Sequence, residues 1–445
     1  MVSWLGVALK VLLLNNLWIL INATFVEETD ELLFVQVIWR HGDRAPVSTY
    51  PTDPHGEDTW PYGWGELTQL GMEQQLALGR LLRSRYILGD PPLVSSRYNP
   101  KEVYIRSTDV NRTLVSAMAN LAGMFSAGQP GVDFPTENAT HGKWPSRWTP
   151  IPVHTVPERT DHIGNILADC PRAEQLHKIA QNTKEFREIQ RENRLFFDYV
   201  SQQTGKNFSL VNINELNDVT YIEMLYNLTQ PSWVTESVVN QIQNLTQKAN
   251  EFFYGIAKPY VPELVRIRGG NLLKAIVDTM NQKIRCRRRF NRFLEECQWI
   301  RQLKYYAYSA HDTTLGALLS TFGDEQGVVP GGLPHYTASI AIELWNTTDF
   351  GPAVKIFYHS AFNQDYRLIT DLTKGCPAGQ QYCPLDIFER RSRRFMPVNI
   401  EKECRAKISP SAWWDRRMQQ QEYRSNRTNK KGQLEGDSAA DSTEF

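Results

Sequence analysis

Three short stretches carry the side chains with the most chemical reach. Arg40-His41-Gly42-Asp43-Arg44 sets a histidine between two arginines, Tyr104-Ile105-Arg106 ends in a third arginine, and Ser309-Ala310-His311-Asp312 ends in a histidine and a carboxylate. Arginine offers a permanently charged planar fork of donors, which suits an oxyanion such as phosphate. A histidine can attack phosphorus as a nucleophile, splitting hydrolysis into two easier steps. Arginines can then neutralise the equatorial oxygens, where transition-state charge is spread. The leaving alcohol needs a proton, and Asp312 is the carboxylic acid placed to supply one. Each stretch taken alone has a plainer reading, a basic surface turn for Arg40–Arg44 and a surface salt bridge for Arg106. Only together do they make a site.

The elements that would position them are legible as strands that stop abruptly. Phe34–Trp39 is an apolar, β-branched run that reads as a buried strand, ended by Gly42 and Pro46. Val103–Ser107 is a second short strand, with Ser107 or Thr108 capping a helix through Val110, Leu114, Met118 and Leu121. Lys304–Ala310 is a third, followed by a helix through Leu315, Leu318, Leu319 and Phe322. All three charged clusters therefore stand at strand-to-helix junctions. In open α/β sheets such carboxyl ends converge on the ligand crevice.

The intervening chain divides by pattern. Residues 50–64 are rich in proline, glycine and aromatics and read as a loop packed over the site. Thr68 caps a helix with the stripe Leu70, Leu76, Leu78, Leu81 and Leu82. Residues 128–157 read as loop. From 158 to 262 the chain looks wholly helical, with one run from Pro171 to about Val200 and another from Val234 to Ile256. That is the pattern of an α-helical cap inserted into an α/β domain made of residues 31–157 and 263–404. A further helix through Leu272, Ile276 and Met280 precedes the basic run Arg285–Arg289, read as a solvated loop. Ala338–Trp345 and Val354–His359 form a hairpin across a loop carrying Asn346, and residues 405–445 are a polar tail expected to be disordered.

Lys+Arg and Asp+Glu both number 49, so no global charge argues for nucleic acid or a membrane surface, and phosphate recognition must be local. Residues 1–23 have the form of a cleaved secretory signal, an uncleaved anchor being the alternative, and no other span is long and apolar enough to cross a bilayer. Six cysteines in a secreted chain favour disulfides. No Cys/His cluster has zinc spacing, so neither metal nor cofactor is expected. Asn22, Asn138, Asn207, Asn227, Asn244, Asn346 and Asn426 head N-glycosylation triplets, which fits the secretory route; the five between Asn138 and Asn346 are the expected acceptors.

These stretches resemble the histidine acid phosphatases of the phosphoglycerate-mutase-like superfamily. The signature R-H-G-x-R-x-P stands as Arg40 to Pro46 and the later His-Asp as His311-Asp312. YIRSTDVNRTL (104–114), GELTQLGMEQ (65–74), PIPVHTVP (150–157) and YSAHDTT (308–314) look like the prostatic and lysosomal branch. The resemblance spans about residues 31–404. It implies a mixed sheet flanked by helices with a helical second domain, and phosphomonoester hydrolysis through a phosphohistidine on His41. It implies Arg40, Arg44, Arg106 and His311 as phosphate ligands, Asp312 as general acid, and an acidic optimum.

By the same resemblance Cys170 pairs with Cys404 and Cys376 with Cys383. Cys286 and Cys297 have no family counterpart and are left to each other. Asn111 stands where the branch usually has aspartate; the triplet it heads is expected to be buried and unglycosylated. The partners implied are a small-molecule or protein phosphomonoester and a second copy of the chain in a homodimer, with a secreted or lysosomal destination. The other activities open to the scaffold are phosphotransfer or mutase chemistry, phytase-like hydrolysis, and phosphate-ligand binding without catalysis.

Overall fold

The computed structural model describes residues 29–136, 142–146, 148–291, 293–329 and 333–406. The signal segment, Asn22, Asn138, Asn426 and the chain beyond residue 406 lie outside the described residues. A mixed sheet forms the frame. Its strands are β1 (Glu31–Arg40), β2 (Val103–Ser107), β3 (Tyr305–Ala310), β4 (Ser339–Thr347), β5 (Gly351–His359), β6 (Arg367–Leu368) and β7 (Cys383–Pro384). They lie in the order β2-β3-β1-β4-β5-β6, with β7 on β5. β1, β2 and β3 run parallel, β4 pairs antiparallel with β1, and β5 pairs antiparallel with β4 to close the hairpin. Asn346 lies inside β4 and not in the connecting loop, with an exposed side chain.

The helices are α1 (Gln69–Tyr86), α2 (Asn111–Met124), α3 (Pro171–Gln181), α4 (Lys184–Glu192), α5 (Arg194–Thr204), α6 (Ile213–Leu225) and α7 (Glu236–Tyr254). After them come α8 (Pro262–Arg287), α9 (Gln298–Gln302), α10 (Asp312–Phe322), α11 (Glu325–Val328), α12 (Leu385–Ser392) and α13 (Ile400–Glu403). None of these is long and apolar enough to cross a membrane.

Successive residues of β1 point to opposite faces, so the strand feeds two cores. Val35, Val37 and Trp39 pack against Leu78, Leu82 and Tyr86 of α1 and Ala117 and Leu121 of α2. Phe34 and Ile38 pack against Leu273, Ile276 and Val277 of α8 and Leu315 and Leu318 of α10. Burial on both faces explains why β1 reads as a continuous apolar run. Each large side chain so buried contributes about 1.5–3 kcal/mol.

The helices α4 to α7 have a core of their own, which includes Phe186, Phe197, Leu216, Ile242 and Phe252 and takes in Tyr50 from the loop after β1. The first helical run breaks into three pieces here, because Thr183 stops α3 and caps α4 through the amide of Phe186, and Asn193 separates α4 from α5. α6 lies between the two runs that periodicity marks, inside the stretch that reads as wholly helical. The basic run is also reassigned: Arg285 to Arg287 complete the last turn of α8, with Arg285 paired to Glu296 and Arg287 to Glu31. Of the α1 stripe, Leu70 is exposed, and Gln74 and Gln75 turn inward instead.

Disulfides join Cys170 to Cys404, Cys286 to Cys297 and Cys376 to Cys383. Two glycines set the turn after β1 against α1. A Cβ on Gly42 would stand 2.2 Å from the carbonyl oxygen of Gly71, and one on Gly71 would stand 2.1 Å from that of Asp43. Backbone cannot retreat from such a contact without moving the motif. Gly71→Ala is therefore expected to lower stability by about 3 kcal/mol or more, beyond the range of an ordinary surface change. A thermal melt checks it, with kcat measured on the same sample because His41 would be displaced too.

Candidate active site

The sheet register assembles the site. Arg40 is paired with Ala310 across β1 and β3, so the next residues, His41 and His311, emerge side by side with ring centroids 5.6 Å apart. The His41 amide donates to the Ala310 carbonyl at 3.0 Å and holds the two strand ends together. His41 is only 2 % exposed, and its Nδ1 lies 2.8 Å from the carbonyl oxygen of Gly42. A carbonyl only accepts, so Nδ1 carries the proton and Nε2 keeps its lone pair. Burial, then the charges of Arg40, Arg112 and Arg44, hold the His41 pKa well below its ordinary value. Each of these causes favours the neutral ring.

Arg40 spans the pocket. Its Nη2 is 2.9 Å from Oδ2 of Asp312, its Nη1 donates to the Pro334 carbonyl at 2.7 Å, and the guanidinium lies 4.3 Å from the centre of the Tyr336 ring. Arg44 makes a two-pronged bridge to Asp218 of α6, at 3.0 and 2.8 Å. Burial works against the charge on Arg44, but Asp218 outweighs it and the pKa is raised. Asp218 was not among the residues singled out from the sequence, because nothing in the α6 segment marked it as facing a motif 174 residues away.

His311 sits with Nε2 at 3.0 Å from the Thr108 hydroxyl. Burial and then the Arg112 charge push its pKa down to about 3, so it is a neutral hydrogen-bonding group. Asp312 opens α10, one-fifth exposed to the pocket. Burial raises its pKa, but Arg40, Arg44 and His311 together outweigh that and hold it below the ordinary carboxylate value. Asp43 is different: fully buried, it accepts from the Thr68 hydroxyl at 2.5 Å and from the Tyr226 hydroxyl. It ties the motif to α1 and α6.

Arg106 departs from expectation. It does end β2, but its guanidinium is committed to buried Asp161, and it is not among the residues lining the cavity that His41, His311 and Asp312 share. Arg112 lines that cavity instead. Burial first, then the Arg44 and Arg40 charges, pull its pKa down to about 10. Three guanidinium groups crowded this way favour an incoming anion. The sequence misplaced the helix start: α2 begins at Asn111 after Val110, with no side-chain cap from Ser107 or Thr108. That shift of two to three residues puts Arg112 in the first turn, beside the pocket. The cavity has a volume of about 880 Å³, with Arg40, Arg44 and Arg112 on its walls, and α6 and α7 supply another wall.

A family profile described as the histidine phosphatase superfamily (branch 2) matches residues 31–359, which include Arg40–Arg44, Arg112 and His311-Asp312. The chain belongs to the histidine phosphatase superfamily, and within it to the acid phosphatases. It is 34 % identical to the lysosomal acid phosphatase of Bos taurus over 383 residues, 85 % of this chain and 82 % of the relative. It is 33 % identical to the prostatic acid phosphatase of Mus musculus over 386 residues, 86 % of this chain and 91 % of the relative. In fold it is similar to the phytase of Hafnia alvei, with a TM-score of 0.59 at 16 % identity over 86 % of this chain and 100 % of that one.

In this histidine phosphatase the expectation for Asn111 needs correction as well. Asn111 is exposed and donates to Glu66 at 3.0 Å, although Thr113 of the same triplet is fully buried. Asn207, Asn227, Asn244 and Asn346 are also exposed, and Asn244 stands on the wall of the catalytic cavity.

The two arginines should separate cleanly by experiment. Arg112→Ala is expected to lower kcat/KM for small phosphate esters by roughly 100- to 1,000-fold, the size of losing one anion-stabilising donor group, with little change in melting temperature. Arg106→Ala should do the reverse, leaving buried Asp161 without its cation and lowering the melting temperature. Steady-state kinetics and melts on both variants decide the assignment.

Proposed function

We propose that this protein hydrolyses phosphate monoesters in acid through a covalent phosphohistidine on His41. The observation that carries the reading is the 2.8 Å contact of His41 Nδ1 with the Gly42 carbonyl oxygen: it puts the proton on Nδ1 and leaves the Nε2 lone pair for phosphorus, in the cavity lined by Arg40, Arg44 and Arg112. These three arginines and His311 hold the phosphoryl oxygens. Nε2 forms a bond to phosphorus as the ester P–O bond breaks, and the alkoxide takes its proton from Asp312. Water then attacks the phosphohistidine, giving a proton to the Asp312 carboxylate as the N–P bond breaks, which releases phosphate and restores both side chains. Arg112 takes the place that resemblance had given to Arg106.

In the ligand-free site Arg40 keeps Asp312 ionised. A bound phosphate competes for that guanidinium and adds a like charge, both of which raise the carboxyl pKa. Activity should therefore fall as pH rises through the raised pKa of bound Asp312, while burial and the arginine charges place protonation of His41 below the ordinary histidine range. The test is rapid quenching with ³²P-labelled substrate. An acid-labile, base-stable phosphoenzyme is expected, and its absence during turnover defeats the reading.

The same reading extends to architecture and destination. Residues 31–157 and 263–404 form the catalytic body, and 158–262 the helical cap. Residues 1–23 act as a signal, and the chain travels to the lysosome or the cell exterior, as the names of its relatives support. Glycans at Asn207, Asn227, Asn244 and Asn346 fit their exposure.

A further inference from the structure

Beyond the arginine-lined floor, the catalytic cavity is walled by carboxamides. α6 contributes Asn214 and Asn217, and α7 contributes Asn240, Gln243 and Asn250. The α7 positions fall three or seven apart, which places them along one helix face. Each carboxamide offers both donors and an acceptor without charge, a combination that matches a hydroxyl group. One member is set for a ligand. The Asn250 carbonyl accepts from Asn214 Nδ2 at 2.9 Å, while its own Nδ2, on a side chain 4 % exposed, has no partner; the neighbouring Thr246 hydroxyl has none either.

Charge points the same way. Arg40, Arg44 and Arg112 are the only arginines lining the cavity among the described residues and no lysine lines it, whereas Glu158 and Glu215 do, Glu215 being paired to Lys206 at 2.6 Å. A second phosphate would meet Glu158 and no uncommitted cation.

We infer that the preferred substrate is a phosphate monoester of an uncharged, polyhydroxylated alcohol, a sugar or polyol carrying a single phosphate. The inference rests on the reading of His41 as the phosphoryl acceptor. The phosphate goes to the arginines and the hydroxyls to the α6–α7 wall. Polyphosphorylated polyols are excluded by the carboxylates, and plain alkyl esters leave the amides unmatched.

The experiment compares glycerol 2-phosphate with isopropyl phosphate, which has the same carbon skeleton without the hydroxyls, on the full-length enzyme and on Asn240→Ala/Gln243→Ala. Both are exposed positions, and the change should spare the fold. The native enzyme should favour glycerol 2-phosphate in kcat/KM by about tenfold or more, the worth of one or two net hydrogen bonds. The double variant should lose most of that ratio. Any difference in leaving-group acidity is common to both enzymes and cancels. Inositol monophosphate should be turned over at least a hundredfold better than inositol hexakisphosphate. Measurements are made with glycans present and after their enzymatic removal, since Asn244 shares this wall. A ratio unchanged in the variant, or a preference for the hexakisphosphate, overturns the inference. Loss of 4-nitrophenyl phosphate hydrolysis and of the phosphoenzyme in the native protein would instead overturn the reading beneath it.

Discussion

Replacing His41 with alanine is expected to abolish turnover, by roughly 10⁴- to 10⁶-fold in kcat, while the protein stays folded. The magnitude follows from removing a nucleophile whose covalent step the rest of the site cannot replace. The residual rate would come from the arginines, which bind and polarise the ester whether or not the imidazole is present. Little stability should be lost: the ring makes one hydrogen bond, to the adjacent Gly42 carbonyl, and the backbone link from His41 to Ala310 survives the change. Substrate affinity should persist for the same reason, so direct binding of a phosphate analogue to His41→Ala provides the control. A folded, ligand-binding variant that keeps more than a tenth of the native rate would remove His41 from the role of nucleophile.

Asp312→Asn is expected to show a leaving-group signature instead of uniform loss. The amide keeps the size of the side chain but cannot deliver a proton to an alkoxide, so hydrolysis of alkyl phosphates should slow by roughly 10²- to 10⁴-fold. A nitrophenyl ester departs as a stable anion without help and should slow far less. The substitution also turns the ion pair with Arg40, 2.9 Å in the native site, into at most a neutral hydrogen bond, so KM should hold or fall while kcat drops. The pH profile supplies the sign. In the native enzyme the alkyl-ester rate should fall at alkaline pH with deprotonation of Asp312 in the complex; in Asp312→Asn that limb should vanish. Equal slowing of both ester classes would assign proton delivery elsewhere.

Much of the fold was legible because local pattern and final environment agree. β1 is buried on both faces and reads as a short unbroken apolar run. Thr68 caps α1 through the Gly71 amide, where the sequence places a helix start. Where long-range packing decides, pattern misled. Leu70 is on the α1 stripe by spacing yet exposed, and Gln75 is fully buried because its amide donates to the Arg40 carbonyl at 2.8 Å. The pieces α3 to α5 look like one run, because the stops at Thr183 and Asn193 act through caps and turns that periodicity does not register.

The sequence by itself determined the chemistry: a histidine flanked by arginines at one strand end and a His-Asp pair at another are unusual enough to name a phosphoryl-transfer site and its family. Tertiary structure alone decided which arginine lines the cavity beside Arg40 and Arg44. Arg106 sits at the end of its strand as read, but buried Asp161 claims it, and the late start of α2 brings Arg112 to the cavity in its place. Structure likewise decided that Asp218 and the carboxamides of α6 and α7 stand across from His41. The physical reason is the same in both cases. Side-chain type is encoded locally, whereas the partner that claims a charge, and the wall that faces a nucleophile, depend on chain segments far away in sequence.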